Sequence, residues 1–345
     1  MRDCMRILIT GAAGLIGGEV ASRLAARGHE VSALVHRSHD VRANTGSRPN
    51  LHAVLTGDVR VAGMGLDPSV AAKHDLLVHC AATTRFDLSA EDYAATNIGG
   101  TSNALAVAQA ARMAFLHVST AYVCGHRSGP ILETDPVPTT GFANGYEASK
   151  AAGERAVRES GLCWAIARPS VVVGQSTDGA IRSFDAIYTA FKLIAEGRVR
   201  HMAASQDATI DFVPIDHVAA GLVALAEDMA RANGGAFHLV SARPVPVSAF
   251  AAAIGSFPQF TAPALVPPDT FDPATLPPLE RRLYGRVAGL YSSYFQRDPR
   301  FSDARFRAVT GLACPPTGPA YLQRLIAYCV AAGFLRSGAG QTRRC

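Results

Sequence analysis

The chain opens with Arg6-Ile7-Leu8-Ile9-Thr10, runs directly into Gly11-Ala12-Ala13-Gly14-Leu15-Ile16-Gly17, and continues in helix formers to Arg27, where Gly28 stops the pattern. No other feature constrains the fold as much. A continuously apolar run bounded by glycine reads as a strand buried on both faces, and such a strand needs helices above and below it. The alternation then repeats. Apolar runs at 30–35, 51–55, 76–80, 115–119 and 163–167 read as further strands, with helices at 15–27, 97–112 and 146–159. Strands alternating with helices predict an α/β fold, a doubly wound parallel sheet.

Beyond Arg168-Pro169 the rhythm breaks. Residues 185–196, 217–230 and 321–335 read as helices and 236–240 as one more strand, which predicts a smaller, mostly helical C-terminal lobe. Residues 258–278 hold seven prolines in 21 positions, too many for a helix or an interior strand. We read them as a surface loop or lid anchored by Phe257, Phe260, Leu265 and Phe271. The expected division is a nucleotide-binding domain over 1–174 and a substrate-binding lobe over 175–345, interleaved with the first.

Composition narrows the classes. Hydrophobic residues make up 48% and charged residues 18%, enough for a core, and no apolar run is long enough to span a bilayer. The first residues read as strand rather than secretory signal, so the expectation is a soluble cytoplasmic protein. The seven cysteines (4, 80, 124, 163, 314, 329 and 345) are scattered without a CxxC pair and read as reduced thiols, with no metal site expected. The net charge is +5, and from residue 276 onward eleven arginines face three acids. No basic stripe interleaves with aromatics, so nucleic acid is not an expected partner. The arginine-rich, lysine-poor bias suits a GC-rich bacterial genome, and the basic C-terminus suits an acidic or phosphorylated partner.

The glycine turn sits where a dinucleotide site requires it. Gly11 permits the tight turn, Gly14 lets backbone approach a pyrophosphate, and Gly17 allows close helix–strand packing. The following helix offers its free N–H groups to the phosphates. About 20 residues on, where an acid would hold the ribose 2′-OH of NAD, stand His36-Arg37. A guanidinium there suits a 2′-phosphate, which favours NADPH while leaving NADH open; the alternative is a solvated surface arginine. Asp58, after the third strand, is placed for the adenine edge or for a helix cap.

Tyr146 and Lys150 lie one helical turn apart and share a face. A phenol titrates near 10, and a neighbouring ammonium brings it toward neutrality. The pair gains weight from the order along the chain: glycine turn, Ser119-Thr120 at a strand end, then Tyr-x-x-x-Lys. Arg85 and Phe86 lie on a loop that could meet substrate, though a loop arginine is more often solvated. Cys80, Cys124 and Trp164 read as core residues, and His217 as a helix-start residue beside Asp216.

In this order the motifs TGAAGLIG (10–17), GDV (57–59), HVSTAYVCG (117–125), YEASK (146–150) and ARPSVVVG (167–174) resemble the extended short-chain dehydrogenase/reductase family, over roughly residues 5–240. The resemblance implies a Rossmann-type domain binding cofactor through Gly11, Ala13, Gly14, Leu15, Ile16, Gly17, Arg37, Asp58, Val59, Ala81, Ala82, Tyr146, Lys150, Pro169 and Val171. It implies catalysis by Thr120, Tyr146 and Lys150, with Asn97 ordering a proton-relay water. It also implies a homodimer through helices 97–112 and 146–159. HCAATTRFD (79–87), Asn97 with GGT, STAYV and RPSVVVG resemble the thioester reductase and fatty acyl-CoA reductase subgroup. That points to an acyl thioester, on CoA or an acyl carrier protein, reduced to an aldehyde or alcohol. The alternatives are a ketone or quinone-type reductase of secondary metabolism, then a sugar-nucleotide epimerase or dehydratase. A non-catalytic nucleotide sensor is disfavoured by the Tyr-Lys pair.

Overall fold

The computed structural model describes residues 4–185, 187–286 and 288–336; Cys345 and the last two arginines lie outside them. Seven strands form one parallel sheet: β1 (Arg6–Thr10), β2 (Glu30–Val35), β3 (Ala53–Thr56), β4 (Leu76–His79), β5 (Ala114–Val118), β6 (Trp164–Pro169) and β7 (Gly235–Leu239). Their order is β7-β6-β5-β4-β1-β2-β3. The winding therefore reverses between β1 and β4, and a ligand crevice is expected at the carboxyl ends there.

Both faces are covered. Helix α1 (Leu15–Ala26) packs against α5 (Ile215–Glu227) on one side, joining Val20, Ala21 and Leu24 to Val218 and Leu222 in a core with Ile7, Ile9 and Val78. On the other side α2 (Gly100–Ala111) and α3 (Gly145–Glu159) meet the sheet through Ala104, Leu105, Ala108 and Val157. A wider, π-type turn over Ala94–Gly99 leads into α2, so the helix expected at 97–112 begins irregularly around Asn97. Short interruptions of that kind recur at functional positions.

The strand expected at 236–240 is β7, in register with β6 from Gly235↔Ala165 to Leu239↔Pro169. Late residues thus complete the sheet that the first 170 begin. The C-terminal lobe has its own core over α4 (Ile187–Ala195), α6 (Val247–Gly255) and α9 (Pro319–Ala331), with Phe191, Ile194, Phe250, Ile254, Tyr321 and Leu325. Helices α7 (Pro278–Arg286) and α8 (Ala304–Thr310) flank a 3₁₀ segment, Ala288–Phe295. The proline-rich stretch is tied to this core by Phe260, with Phe257, Leu265 and Phe271 packed against it. Between prolines it contributes the strand Ala264–Val266, paired in parallel with His201–Ala203. No helix among the described residues is long and apolar enough to cross a membrane.

Candidate active site

Two adjoining cavities, about 340 and 410 Å³, lie over the carboxyl ends of β1, β4 and β5 and share Gly11, Gly14, Cys80 and Ala82. Glycine makes this space. Gly11 takes φ +66°, and a Cβ there would lie 2.7 Å from Ala81 N; one on Gly17 would lie 2.3 Å from Gly11 O. Gly14 caps α1 without any side-chain hydrogen bond, so the first-turn N–H groups and the positive end of the helix dipole face the cleft. Every residue expected to hold the cofactor lines one of these cavities except Lys150: Gly11, Gly14, Leu15, Ile16, Gly17, Ala82, Tyr146, Pro169 and Val171 the smaller, Ala13, Arg37, Asp58, Val59 and Ala81 the larger.

Arg37 is exposed in the larger cavity and has no ion-pair partner among the described residues. Asp58 is already engaged. Arg60 forks onto it at 2.6 and 3.0 Å and His36 Nε2 stands 3.4 Å away, so its carboxyl is held down at about 2. Asp58 caps no helix. Arg182, which no local pattern singles out, donates to Ala13 O at 3.4 Å, beside the glycine turn.

Thr120 follows β5, and its hydroxyl accepts the Tyr122 N–H at 3.3 Å, starting a tight turn. Tyr146 lies in the first turn of α3, where the Asn144 side chain caps the Glu147 N–H at 2.9 Å. Thr120 and Tyr146 both line the smaller cavity. Burial holds the phenol well above its usual value, and the Thr120 hydroxyl opposes that. Lys150, one turn on, is 2% exposed; burial brings its ammonium down to about 8, against the pull of Glu154. No hydrogen bond or ion pair from described residues reaches its amino group. The glycine cradle with its free helix N–H groups fits a dinucleotide's phosphates; Lys150 lines neither cavity, though its charge is felt by Cys80, which lines both.

Asn97 is 1% exposed, and its carboxamide is fully used: Oδ1 accepts from Thr83 N at 2.8 Å, while Nδ2 donates to Thr83 O and to Ser149 Oγ. It pins the loop after β4 to the catalytic helix. On that loop Arg85 is exposed and paired with Asp87, whereas Phe86 turns inward, 5.6 Å from the Tyr146 ring. Phe86 meets Tyr291 at 5.0 Å and Tyr294 at 5.9 Å, and Tyr294 meets Tyr122 at 4.5 Å. These rings wall the end of the cavity opposite the glycine turn. No local pattern points to Tyr291 or Tyr294, which lie 145 and 148 residues beyond Tyr146. Behind them Arg297, 6% exposed, pairs with Glu147 at 2.5 Å and donates to Gly125 O at 2.7 Å. This clasp ties the C-terminal lobe to the helix carrying Tyr146.

Cys80 lines the cavities as a thiol raised to about 12 by burial, and buried Cys124 lies outside them. His217 sits buried in the first turn of α5; Trp164 begins β6 beneath Arg158. Among the described residues no three His, Cys, Asp or Glu side chains are grouped to hold a metal.

A glycine cradle at the reversal of a parallel sheet, with Thr120 and Tyr146 lining the same cavity, fits a nicotinamide-dependent oxidoreductase of the extended short-chain type. Residues 9–222 match the NAD-binding family described as male sterility protein, and the chain belongs to that family. A dTDP-4-dehydrorhamnose reductase of Burkholderia thailandensis is 33% identical over 260 residues, 72% of this chain and 77% of that one. A 3-diazoavenalumate denitrifying reductase of a Streptomyces species is 27% identical over 328 residues, covering 92% and 98%. The chain spans only 6% of another relative, the polyketide synthase-nonribosomal peptide synthetase ACE1 of Pyricularia oryzae, at 28% identity over 240 residues. Among solved structures, the terminal R domain of the myxalamid PKS-NRPS pathway superposes with a TM-score of 0.81 at 22% identity, over 98% of this chain and 93% of that one. The protein is an NAD(P)H-dependent reductase.

Proposed function

We propose that this reductase uses NADPH to reduce the carbonyl of an acyl thioester, carried on CoA or on a carrier protein, to an aldehyde or alcohol. The observation carrying the reading is that Thr120 and Tyr146 line the one cavity that joins the glycine cradle to the aromatic rings. A bound nicotinamide dinucleotide supplies the hydride. The residues of this chain supply the rest. Thr120 and Tyr146 would hold the substrate oxygen, and Tyr146, kept protonated by burial, would donate its proton as charge develops there. Lys150 would hold ribose hydroxyls and restore the phenol's proton. Asn97 fixes the Thr83 loop against α3, so its part in any proton path is to keep that geometry. Arg37, at the rim and without an ion-pair partner among the described residues, is the group that would choose a 2′-phosphate.

The cavity favours an uncharged acyl group. Phe86, Tyr122, Tyr291 and Tyr294 wall its end opposite the glycine turn and carry no charge. Aromatic and aliphatic walls suit the apolar part of a thioester. The resemblance of the β4 loop and the likeness to a terminal R domain support the same reading. NADPH absorbance, followed with a medium-chain acyl-CoA and in parallel with a ketone panel, tests it. Oxidation with free CoA released and aldehyde or alcohol formed is expected; activity on ketones alone would overturn the thioester assignment.

A further inference from the structure

Arg182 is a half-buried cation with no acid partner among the described residues. Its Nε is buried and has no hydrogen-bond partner, and its Nη2 meets the Ala13 carbonyl oxygen at 3.4 Å, a long contact. The setting makes this costly. Ala13 precedes Gly14, which caps α1 with no side-chain hydrogen bond, and the first turn of α1 holds no acid. A guanidinium beside the positive end of a helix dipole is repelled unless an anion joins them. The single acid of α1, Glu19, is already used: it pairs with Arg23 at 2.7 Å and accepts the Asn44 N–H at 2.6 Å.

Asn44 holds Arg182 in that place. Its Oδ1 accepts the Arg182 N–H at 2.9 Å and its Nδ2 donates to Ala180 O at 2.9 Å, so one buried carboxamide grips the backbone on both sides of Ile181. The gripped segment is braced from behind. Gln175 N donates to Ala180 O, Gly179 N donates to Gln175 O, and Asp178 accepts the Ala180 N–H, which closes the turn at 175–180. Ile181 and Ser183, on either side of Arg182, line the smaller cavity with Gly14, Leu15 and Ile16. His36, Arg37 and Ser38 line the larger one, which neither neighbour reaches. The segment therefore faces the first turn of α1, where a bound dinucleotide places its diphosphate.

We infer that Arg182 binds the diphosphate of the nicotinamide cofactor, and that Asn44 is the residue that positions it. The N–H groups of α1 take one side of the diphosphate and the guanidinium the other, so the anion satisfies both positive features at once. The two arginines then differ in what they read. Arg37 faces the 2′-phosphate that only NADPH carries, and Arg182 the diphosphate that NADPH and NADH share.

Fluorescence titrations with NADPH and NADH test this, with 2′-AMP as a competitor that has the 2′-phosphate but no diphosphate. Arg182→Leu should weaken both cofactors by the same factor, about 10–100-fold, and leave 2′-AMP within about twofold. Arg182→Lys, which keeps the charge and loses the fork, should fall between. Without ligand, Arg182→Leu should melt at the same or a higher temperature, because an uncompensated charge is gone. Asn44→Ala should weaken both cofactors several-fold, and should add nothing in the Arg182→Leu background. An equal loss in both backgrounds would mean that Asn44 acts on the fold alone and would overturn its positioning role. A loss confined to NADPH, or 2′-AMP weakened as much as NADPH, would move Arg182 to the 2′-phosphate and overturn the proposal. So would unchanged affinity for both cofactors. No acyl substrate enters these titrations, so the thioester reading stands or falls separately.

Discussion

The cofactor cradle and the aromatic wall opposite it are made of different materials. The cradle is backbone: Gly11, Gly14 and Gly17 lie within seven residues, and their shape follows from missing side chains and a helix end. The wall is side chains: Phe86, Tyr122, Tyr291 and Tyr294 come from three separated segments and hold their place by touching one another. Backbone built locally tolerates little change but needs no distant support. A wall built from afar tolerates exchange of single rings but depends on whatever clamps its segments together. Here the clamp is Arg297 on Glu147, a buried ion pair next in sequence to Tyr146.

If catalysis belongs to the seam between the two regions, the largest loss should come from the seam itself. Tyr146→Phe is expected to lower kcat by about 10³-fold while changing the NADPH dissociation constant less than about threefold. Stopped-flow turnover and a fluorescence titration check it, and near-normal turnover would remove Tyr146 from the mechanism. Breaking the clamp comes next. Glu147→Gln leaves a buried guanidinium unpaired and should cost about 3–5 kcal/mol in chemical denaturation, whereas replacing both partners with leucine should cost much less. Equal losses in the two variants would mean that the charges themselves do not decide the stability of the seam.

The cradle has its own test. Arg37→Asp should weaken NADPH by about 10–100-fold and leave NADH within a few-fold, read as two titrations; an unchanged preference would end the 2′-phosphate argument. A further effect concerns Lys150, whose folded-state value of about 8 lies below its ordinary 10.5. Between those pH values the unfolded chain binds the proton and the folded chain does not, so stability should rise with pH across that window. Denaturation at pH 8 and pH 10.5 should show wild type gaining on Lys150→Met by at most about 3 kcal/mol. A flat difference would mean that Lys150 is better solvated than its burial implies.

Legibility in the sequence follows the same line. β1 and β2 fall where their apolar runs end, because a strand buried on both faces between glycine and polar punctuation has one place to sit. The pairs that share a helical turn or a strand end, Tyr146 with Lys150 and Ser119 with Thr120, could be read for the same reason. Asp58 shows where such reading stops: its position in the groove was legible, but Arg60, two residues on, occupies its carboxylate. β7 was legible as a strand, yet its place beside β6 depends on a crossover that no local pattern records.

From the sequence by itself came the parallel sheet, the glycine cradle, and the order threonine, tyrosine, lysine, because each depends on periodicity or on residues a few positions apart. The tertiary structure decided the aromatic wall, the Arg297–Glu147 clamp and the reach of Arg182 to the glycine turn. Those depend on which surfaces meet when segments far apart in the chain are packed together, and side-chain packing at that range leaves no period in the chain.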